Sequence, residues 1–218
     1  MSLRPQGLLL DAMGTLIGLR QSVGDSYAAI AEQHGISADP ETLNRVFPHL
    51  FRQAPPLAFP GLSGAALQRA EQQWWSDLIA ACFEASGHAE PLPEAFPTAL
   101  FEHFAEPGPW LVYPDVLQHL GRWREAGLKL AVVSNFDQRL IPLLAALGLE
   151  PLLDAVVVSS AVGAAKPEPQ PLLQALQLLE LGPEQVWHIG DSPEDEASAK
   201  AAGVRCLLIK RPKPNGTP

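Results

Sequence analysis

Short apolar runs of strand length recur along this sequence, and polar residues follow each of them. The first run is formed by three leucines, Leu8–Leu10. Four more lie in the second half of the chain, at Leu128–Asn135, Asp154–Ser160, Gln185–Asp191 and Val204–Lys210. A strand that is apolar along its whole length is buried on both faces, as in a parallel sheet that helices cover on either side.

Segments with helical patterns separate these runs. The stretch from Tyr113 to Gly127 has apolar residues at helical spacing and ends in a glycine suited to helix termination. The stretch after Asp191 begins with Ser-Pro and ends at Gly203, which is also typical of a helix. This alternation predicts an α/β fold, a Rossmann-like doubly wound parallel sheet.

The segment after the first strand has a different character. Between Ile17 and Trp110 no strand-like run is present, whereas several stretches have helical patterns. We therefore expect a Rossmann-like core made of residues 1–17 and 111–218, with a small all-helical cap domain, residues 18–110, inserted after the first strand. The cap segment contains arginines but no lysine, and the first lysine of the chain is Lys129.

The composition argues against several classes of function. The 218 residues carry a formal net charge of -9, which disfavours binding to nucleic acid or to an anionic membrane. No apolar run reaches the length of a membrane span, and the N-terminus lacks the apolar core of a signal peptide. The two cysteines, Cys82 and Cys206, indicate neither a disulfide framework nor a thiolate metal site.

We therefore expect a cytoplasmic protein with no nucleic-acid and no membrane partner. The sequence leaves the oligomeric state open, and a monomer is compatible with it. The composition of the tail KRPKPNGTP predicts disorder.

Carboxylates follow the first strand and the fourth. Asp11 comes directly after the three leucines, and Asp191 ends the fourth run, with Asp195 one helical turn later. Because the carboxyl ends of parallel strands meet at one edge of the sheet, we expect these groups to converge. Two carboxylates at that distance favour a divalent cation such as Mg²⁺, which prefers oxygen ligands.

Groups that can bind an anion follow the second and third apolar runs. Ser134 and Asn135 end the second run, and Lys166 follows the third. A hydroxyl, nearby main-chain amides and one positive charge can bind a phosphoryl group, and Lys166 would also keep Asp11 ionised, as a carboxylate nucleophile requires. Each of these residues alone is commonplace at a turn or a helix start; their occurrence in order, each after its own strand, carries the prediction.

Taken in order, the segments DAMGTL, VVSN, AAKPEP and HIGDSPED resemble the four sequence motifs of the haloacid dehalogenase superfamily, and the helical insert resembles its cap. The segments VGDSYAAIAEQHG, QQWW and SNFDQRL are similar to the rhythmically-expressed-gene-like branch of haloacid dehalogenase-like hydrolases. In this superfamily the aspartate of the first motif attacks phosphorus and becomes an aspartyl phosphate. The resemblance implies that Asp11 is the nucleophile, that Lys166 assists it, and that the substrate is a small phosphorylated or anionic molecule.

The resemblance also implies a Mg²⁺ cofactor and a set of ligands. The metal ligands would be Asp11, the main-chain carbonyl of Met13, Asp191 and, in a supporting role, Asp195. The substrate would be bound by Thr15, Ser134, Asn135 and Lys166.

Position 13 departs from the superfamily pattern. Phosphatases have a second aspartate there, which protonates the leaving oxygen and then activates water, and Met13 can do neither. Loss of a general acid–base group typically costs about 10²–10⁴-fold in rate. The nucleophile Asp11 and the main-chain carbonyl of Met13 are retained, so metal binding need not suffer.

Three functions stay open at this point. The first is a Mg²⁺-dependent phosphohydrolase that acts on good leaving groups or has acid–base help from elsewhere. The second is a catalytically weak or inactive binding protein that keeps the fold. The third is a 2-haloacid dehalogenase, since halide leaves without a proton; the acidic pair Asp191 and Asp195 would be unnecessary there. A carbon–phosphorus lyase is discarded, because it needs a cap lysine for a Schiff base.

Four further residues invite a functional interpretation, and we favour a structural one for each. Trp74 and Trp75 are neighbours on a helix and do not share a face, so we expect one in the cap core and one against the main domain. His188 lies within a strand and is interpreted as a buried, hydrogen-bonded histidine. Asp137 is interpreted as the N-cap of the next helix.

Overall fold

A computed structural model describes residues 4–211 of the chain; the last seven residues of the predicted disordered tail lie outside the described residues. The strands are β1 Gly7–Leu10, β2 Ile17–Leu19, β3 Trp110–Val112, β4 Lys129–Ser134, β5 Ala155–Val158, β6 Val186–Gly190 and β7 Arg205–Leu208. The helices are α1 Val23–Gln33, α2 Pro40–Gln53, α3 Gly64–Ala85, α4 Ala95–His103, α5 Val116–Glu125, α6 Leu140–Ala146, α7 Ser159–Val162, α8 Gln170–Leu179 and α9 Pro193–Ala202.

The main sheet has five parallel strands in the order β5-β4-β1-β6-β7. Strand β1 is central, and all four of its residues are buried because apolar layers cover both faces. One layer joins Leu8, Leu10 and Val132 to α5 and α6, and the other joins Leu9 and Val133 to α8 and α9. The predicted α/β doubly wound parallel sheet is therefore confirmed.

Helix-capping residues fix the helix that follows β6. Ser192 caps α9, where its hydroxyl accepts a hydrogen bond from the Asp195 amide and the Asp195 side chain returns to the Ser192 backbone. Pro193 occupies the first turn, where its missing N–H costs nothing. Gly203 ends the helix with φ +72°, a left-handed conformation that glycine adopts without strain. The β6–α9 turn is thereby set in one geometry.

Helices α1 to α4 lie between β2 and β3 in the sequence, and they pack into a separate helical layer. Their apolar faces form a cluster of their own, which contains Tyr27, Phe83 and Phe96. The layer contacts the sheet domain at specific points; for example, the Ser159 hydroxyl donates to the Leu57 carbonyl at 2.7 Å. The domain boundaries after residues 17 and 110 stay a prediction.

One element at the base of the insert was not predicted from the sequence. Strands β2 and β3 pair antiparallel, with Ile17 opposite Val112 and Leu19 opposite Trp110. The expectation of no strand between Ile17 and Trp110 was therefore wrong at both ends. The strands escaped notice because each is only three residues long, too short to show a periodic pattern. This two-stranded ribbon joins the helical layer to the sheet domain.

Candidate active site

The ends of four main-sheet segments converge at one edge, as the sequence predicted. Asp11 follows β1 directly, and its Oδ1 accepts hydrogen bonds from Lys166 Nζ at 2.7 Å and from the Ser134 hydroxyl at 3.3 Å. Asp191 follows β6 on the other side of β1 and reaches the same point. Asp11, Ser134, Lys166 and Asp191 all line one cavity.

The ammonium group of Lys166 lies between two carboxylates. Besides Asp11 it donates to Asp195 Oδ1 at 2.6 Å and to the Val133 carbonyl at 3.1 Å. Burial would lower the pKa of Lys166, but the attraction of Asp11 and Asp195 outweighs burial and raises it. Lys166 is therefore a positive charge fixed beside Asp11.

Asp11 is almost fully buried, at 6% exposure. Burial raises the pKa of its carboxyl group, and Lys166 opposes that rise. Its Oδ1 has two partners, whereas its Oδ2 accepts no hydrogen bond from the residues the structure describes. The arrangement holds one oxygen and leaves the other available for attack on a bound electrophile.

Asp195 is the best-satisfied carboxylate of the site. Its Oδ1 contacts Lys166 and His188 Nε2, and its Oδ2 accepts from the Ser192 hydroxyl and from the amides of Asp191 and Ser192. Burial opposes ionisation, but these hydrogen bonds prevail and hold the pKa of Asp195 far below its usual range. Asp195 therefore orients Lys166 and the turn that carries Asp191.

His188 supports this arrangement from within β6. It is fully buried, its Nδ1 lies 3.0 Å from the Leu9 carbonyl, and its Nε2 lies 2.8 Å from Asp195 Oδ1. Both ring nitrogens have partners, as expected for a buried, hydrogen-bonded histidine.

Asp191 lies at the exposed side of the edge, where Gly14 makes room for it. A Cβ at Gly14, whose φ is +80°, would collide with the Asp191 carboxylate. Partial burial and the charges of Asp11 and Asp195 raise the pKa of Asp191 to about 6. Burial is the larger cause of the raised pKa, and the repulsion from Asp11 and Asp195 adds to it despite the nearby charge of Lys166.

The acidic edge fits a divalent cation. Asp11, Asp191 and Asp195 each offer one oxygen within 4.8 Å of the others. Three carboxylates face one ammonium group, so the site has an excess of negative charge, and hard divalent cations prefer carboxylate oxygens. The residues present therefore could hold such an ion.

The three remaining predicted site residues, Asn135, Met13 and Thr15, differ in their position relative to the cavity. Asn135 bonds the Lys166 backbone twice, as donor and as acceptor, each at 2.8 Å, so it joins the two loops. Met13 lines the cavity and is 41% exposed. Thr15 is buried away from the cavity lining, with no hydrogen-bond partner for its hydroxyl among the described residues. The predicted contact between Thr15 and substrate therefore has no support in this geometry.

A cavity of about 630 Å³ extends from this edge to the helical layer. Both Trp74 and Trp75 line it, although only structural roles were predicted for them. The indole N–H of Trp74 donates to the Pro55 carbonyl within the insert, whereas that of Trp75 donates to Asp137 of the sheet domain.

Asp137 joins the two layers and also caps the turn that leads into α6, which begins at Leu140, because its Oδ1 accepts a hydrogen bond from the Arg139 main-chain amide at 3.0 Å. Its carboxylate is fully buried, accepts the Trp75 indole N–H at 2.7 Å and binds Arg139 through Nε and Nη2. Arg139 also lies over the Phe101 ring, at 3.6 Å, and donates to the Phe101 carbonyl. The predicted capping contact of Asp137 is therefore present, whereas its bonds to the Trp75 indole and the Arg139 guanidinium were not predicted.

Residues 5–203 match the haloacid dehalogenase-like hydrolase family. The chain is 38% identical to haloacid dehalogenase-like hydrolase domain-containing protein 3 of Mus musculus, with 95% of this chain and 82% of that protein covered. It is 31% identical to the rhythmically expressed gene 2 protein of Drosophila melanogaster, with 93% and 82% covered.

Two solved structures share the fold. L-2-haloacid dehalogenase from Xanthobacter autotrophicus superposes with a TM-score of 0.70 at 22% identity, covering 94% of this chain and 77% of that one. CbbY from Rhodobacter sphaeroides in complex with phosphate superposes with a TM-score of 0.66 at 19% identity, covering 95% and 87%. Within residues 4–211, no helix has both the length and the apolar character needed to cross a membrane.

The resemblance inferred from the four motifs is thereby confirmed over nearly the whole chain, including the strand ends that carry Asp11, Ser134, Lys166 and Asp191. This chain is a member of the haloacid dehalogenase-like hydrolase family.

Proposed function

We propose that this protein is a Mg²⁺-dependent phosphohydrolase of small phosphorylated molecules, and that Asp11 is its nucleophile. One observation carries the proposal: Asp11 has one oxygen held by Lys166 and Ser134 and the other free of hydrogen bonds from described residues, at the edge of a cavity. A positioned carboxylate beside a fixed cation suits attack on phosphorus.

The metal ligands of the proposal are Asp11, Asp191 and the main-chain carbonyl of Met13. Asp195 has a supporting role, because both of its oxygens are already engaged by Lys166, His188 and the β6–α9 turn. Bound at this edge, the cation would offset negative charge on the phosphoryl oxygens.

In the first step the free oxygen of Asp11 forms a bond to phosphorus, and the bond from phosphorus to the leaving oxygen breaks. The leaving group takes the electron pair of that bond. Lys166 and the Ser134 hydroxyl supply positive charge and a hydrogen bond next to the reacting centre, where negative charge develops. Met13 supplies no proton, so a leaving group that is stable as an anion reacts best.

In the second step water attacks phosphorus of the aspartyl phosphate. The bond from phosphorus to the Asp11 oxygen breaks, the carboxylate is restored, and the proton of the water passes to phosphate or to solvent. No side chain at position 13 accepts that proton, so we expect this step to be slow.

The activity test compares phosphate release from 4-nitrophenyl phosphate and acetyl phosphate, with and without Mg²⁺, in the wild type and in Asp11→Asn. We expect release that depends on both Mg²⁺ and Asp11, and an Asp11 adduct visible by intact-mass analysis. Halide release from 2-chloropropionate would indicate a dehalogenase instead, and absence of both products and of the adduct would indicate a binding protein.

The metal test measures the melting temperature. Mg²⁺ is expected to raise the melting temperature of the wild type by mass action, and Asp191→Asn is expected to abolish this increase. Asp77→Asn, which changes an exposed aspartate on α3, is the matched control and keeps the full response. An undiminished increase in Asp191→Asn would contradict the assignment of Asp191 as a ligand.

A further inference from the structure

The part of the cavity beyond the acidic edge is lined mainly by apolar side chains, and many of these are aromatic. Each of the four inserted helices contributes at least one of them, and the lining includes Tyr27, Phe47, Phe51, Trp74, Trp75 and Phe101. At about 30 Å³ per water, 630 Å³ corresponds to roughly twenty water molecules. The cavity therefore has room for a sizeable leaving group in addition to a phosphoryl group.

Three polar side chains in this part of the lining already have partners, whereas Arg52, which is exposed, and the Tyr27 hydroxyl have no hydrogen bond to the described residues. The indole N–H of Trp74 donates to the Pro55 carbonyl, and that of Trp75 donates to Asp137. The guanidinium group of Arg139 is bound by Asp137 and by the Phe101 carbonyl. A sugar or polyol with several hydroxyl groups would lose water here and find only Arg52 and the Tyr27 hydroxyl as free partners, which disfavours its binding.

The aromatic rings are also held in place. Phe51 contacts Phe47, Trp74 and Trp75 with ring centroids 5.6–6.2 Å apart. Trp74 and Trp75 meet edge to face at 4.9 Å. Aromatic surfaces in such an arrangement favour a flat apolar group over a flexible polar one.

We infer that the substrates are phosphate monoesters of phenols with a flat, apolar body of one or two rings. This inference rests on the proposed function and adds the identity of the leaving group. It also agrees with Met13, because a phenol is acidic enough to leave as the phenolate, which takes the electron pair of the broken phosphorus–oxygen bond without a proton.

The experiment compares 2-naphthyl phosphate with phenyl phosphate in the presence of Mg²⁺. The two leaving groups are of similar acidity, so the ratio of their kcat/KM values reports the additional apolar surface. We expect about tenfold in favour of the naphthyl ester, chiefly in KM. A ratio below about two would overturn the inference.

Two variants test whether the preference for the naphthyl ester arises from the cavity lining. Phe51 is 39% exposed, so Phe51→Ala leaves the fold intact; it is expected to reduce the naphthyl-to-phenyl ratio at least about threefold. Leu117→Ala removes an apolar side chain of similar exposure on α5, outside the cavity lining, and is expected to leave the ratio unchanged. Equal effects of the two substitutions would also overturn the inference.

A binding measurement separates failure of this inference from failure of the proposed function. Calorimetry with 2-naphthylmethylphosphonate and methylphosphonate, which cannot be hydrolysed, is expected to show tighter binding of the naphthyl compound. That preference without phosphate release from any ester would refute the phosphohydrolase and keep the ligand class. Phosphate release with no preference in either assay would keep the phosphohydrolase and refute the ligand class.

Discussion

Met13 brings a thioether, which neither donates nor accepts protons, to the position beside Asp11. Because Met13 is 41% exposed, a polar replacement there does not disturb the core. We expect Met13→Asp to raise kcat/KM, which reports the step in which the leaving group departs, by about 10²-fold or more for an alkyl phosphate such as glycerol phosphate, and far less for 4-nitrophenyl phosphate. Met13→Asn is the control, since it has a similar shape and no acid–base capacity. Equal gains in kcat/KM on both substrates would refute a missing proton donor to the leaving group as the cause.

Asp191 makes the metal-free protein sensitive to pH. Its pKa is about 6 when folded and 3.8 ordinarily, so the unfolded state loses this proton first as pH rises. The stability contributed by protonated Asp191 is therefore present below about pH 4 and lost as pH rises through about 6.

In a chelator at about pH 8, Asp191→Asn is accordingly expected to melt at a higher temperature than the wild type. The difference should shrink as pH falls from about 6 to about 4, and Mg²⁺ should reverse it by stabilising the wild type alone. Thermal melts across this pH range provide the check, and a variant that is less stable than the wild type in chelator at about pH 8 would contradict it.

The start of α6 depends on a buried ion pair. The side chains of Asp137 and Arg139 are 0% and 10% exposed, and they approach to 2.7 Å. Asp137→Ala would leave the guanidinium group of Arg139 buried without a counterion, which typically costs about 3–5 kcal/mol of unfolding free energy. Arg124→Ala breaks a half-exposed pair with Asp154 and is expected to cost about 0–1 kcal/mol. Urea denaturation measures both, and similar losses would refute the importance of burial.

Strands and helices could be predicted where the residues of a single element show a hydrophobic pattern by themselves. The apolar runs that became β4 and β6 were recognisable because burial on both faces makes a strand continuously apolar, and Ser134 and Asp191 then followed at the sheet edge. The β2–β3 ribbon has no such pattern, because its stability depends on the pairing of two segments about ninety residues apart in sequence.

The cavity could not be predicted for a related reason. It depends on how four helices are placed over the sheet, and no single helix records that placement. Phe47 and Phe51, one turn apart on α2, give a local signal for an aromatic face, but they do not show whether this face packs against protein or borders a cavity.

The sheet domain and the helical insert differ in how deeply their elements are buried. Strand β1 lies between β4 and β6, and Leu9 and Leu10 are almost fully buried under opposite apolar layers. Helix α2 lies in the insert and has one buried residue, Leu43. Local opening frees the amides of elements with few buried contacts at lower free energy than those of a central strand. Asp11, the proposed nucleophile, thus follows a fully buried central strand, whereas α2, which forms part of the cavity wall, has few buried residues.

Hydrogen exchange tests whether the helical insert opens more readily than the sheet domain. We expect the amides of β1 to exchange through global unfolding and those of α2 to exchange faster, through local opening of the insert. Addition of Mg²⁺ with 2-naphthylmethylphosphonate should slow exchange in α2 around Phe47 and Phe51, because a ligand against these rings must be released before α2 opens. Exchange in β7, outside the cavity lining, serves as the internal control and should change only as far as global stability changes. Equal protection of β1 and α2 in the free protein, or ligand protection confined to the sheet, would mean that the aromatic wall and the sheet open as one unit.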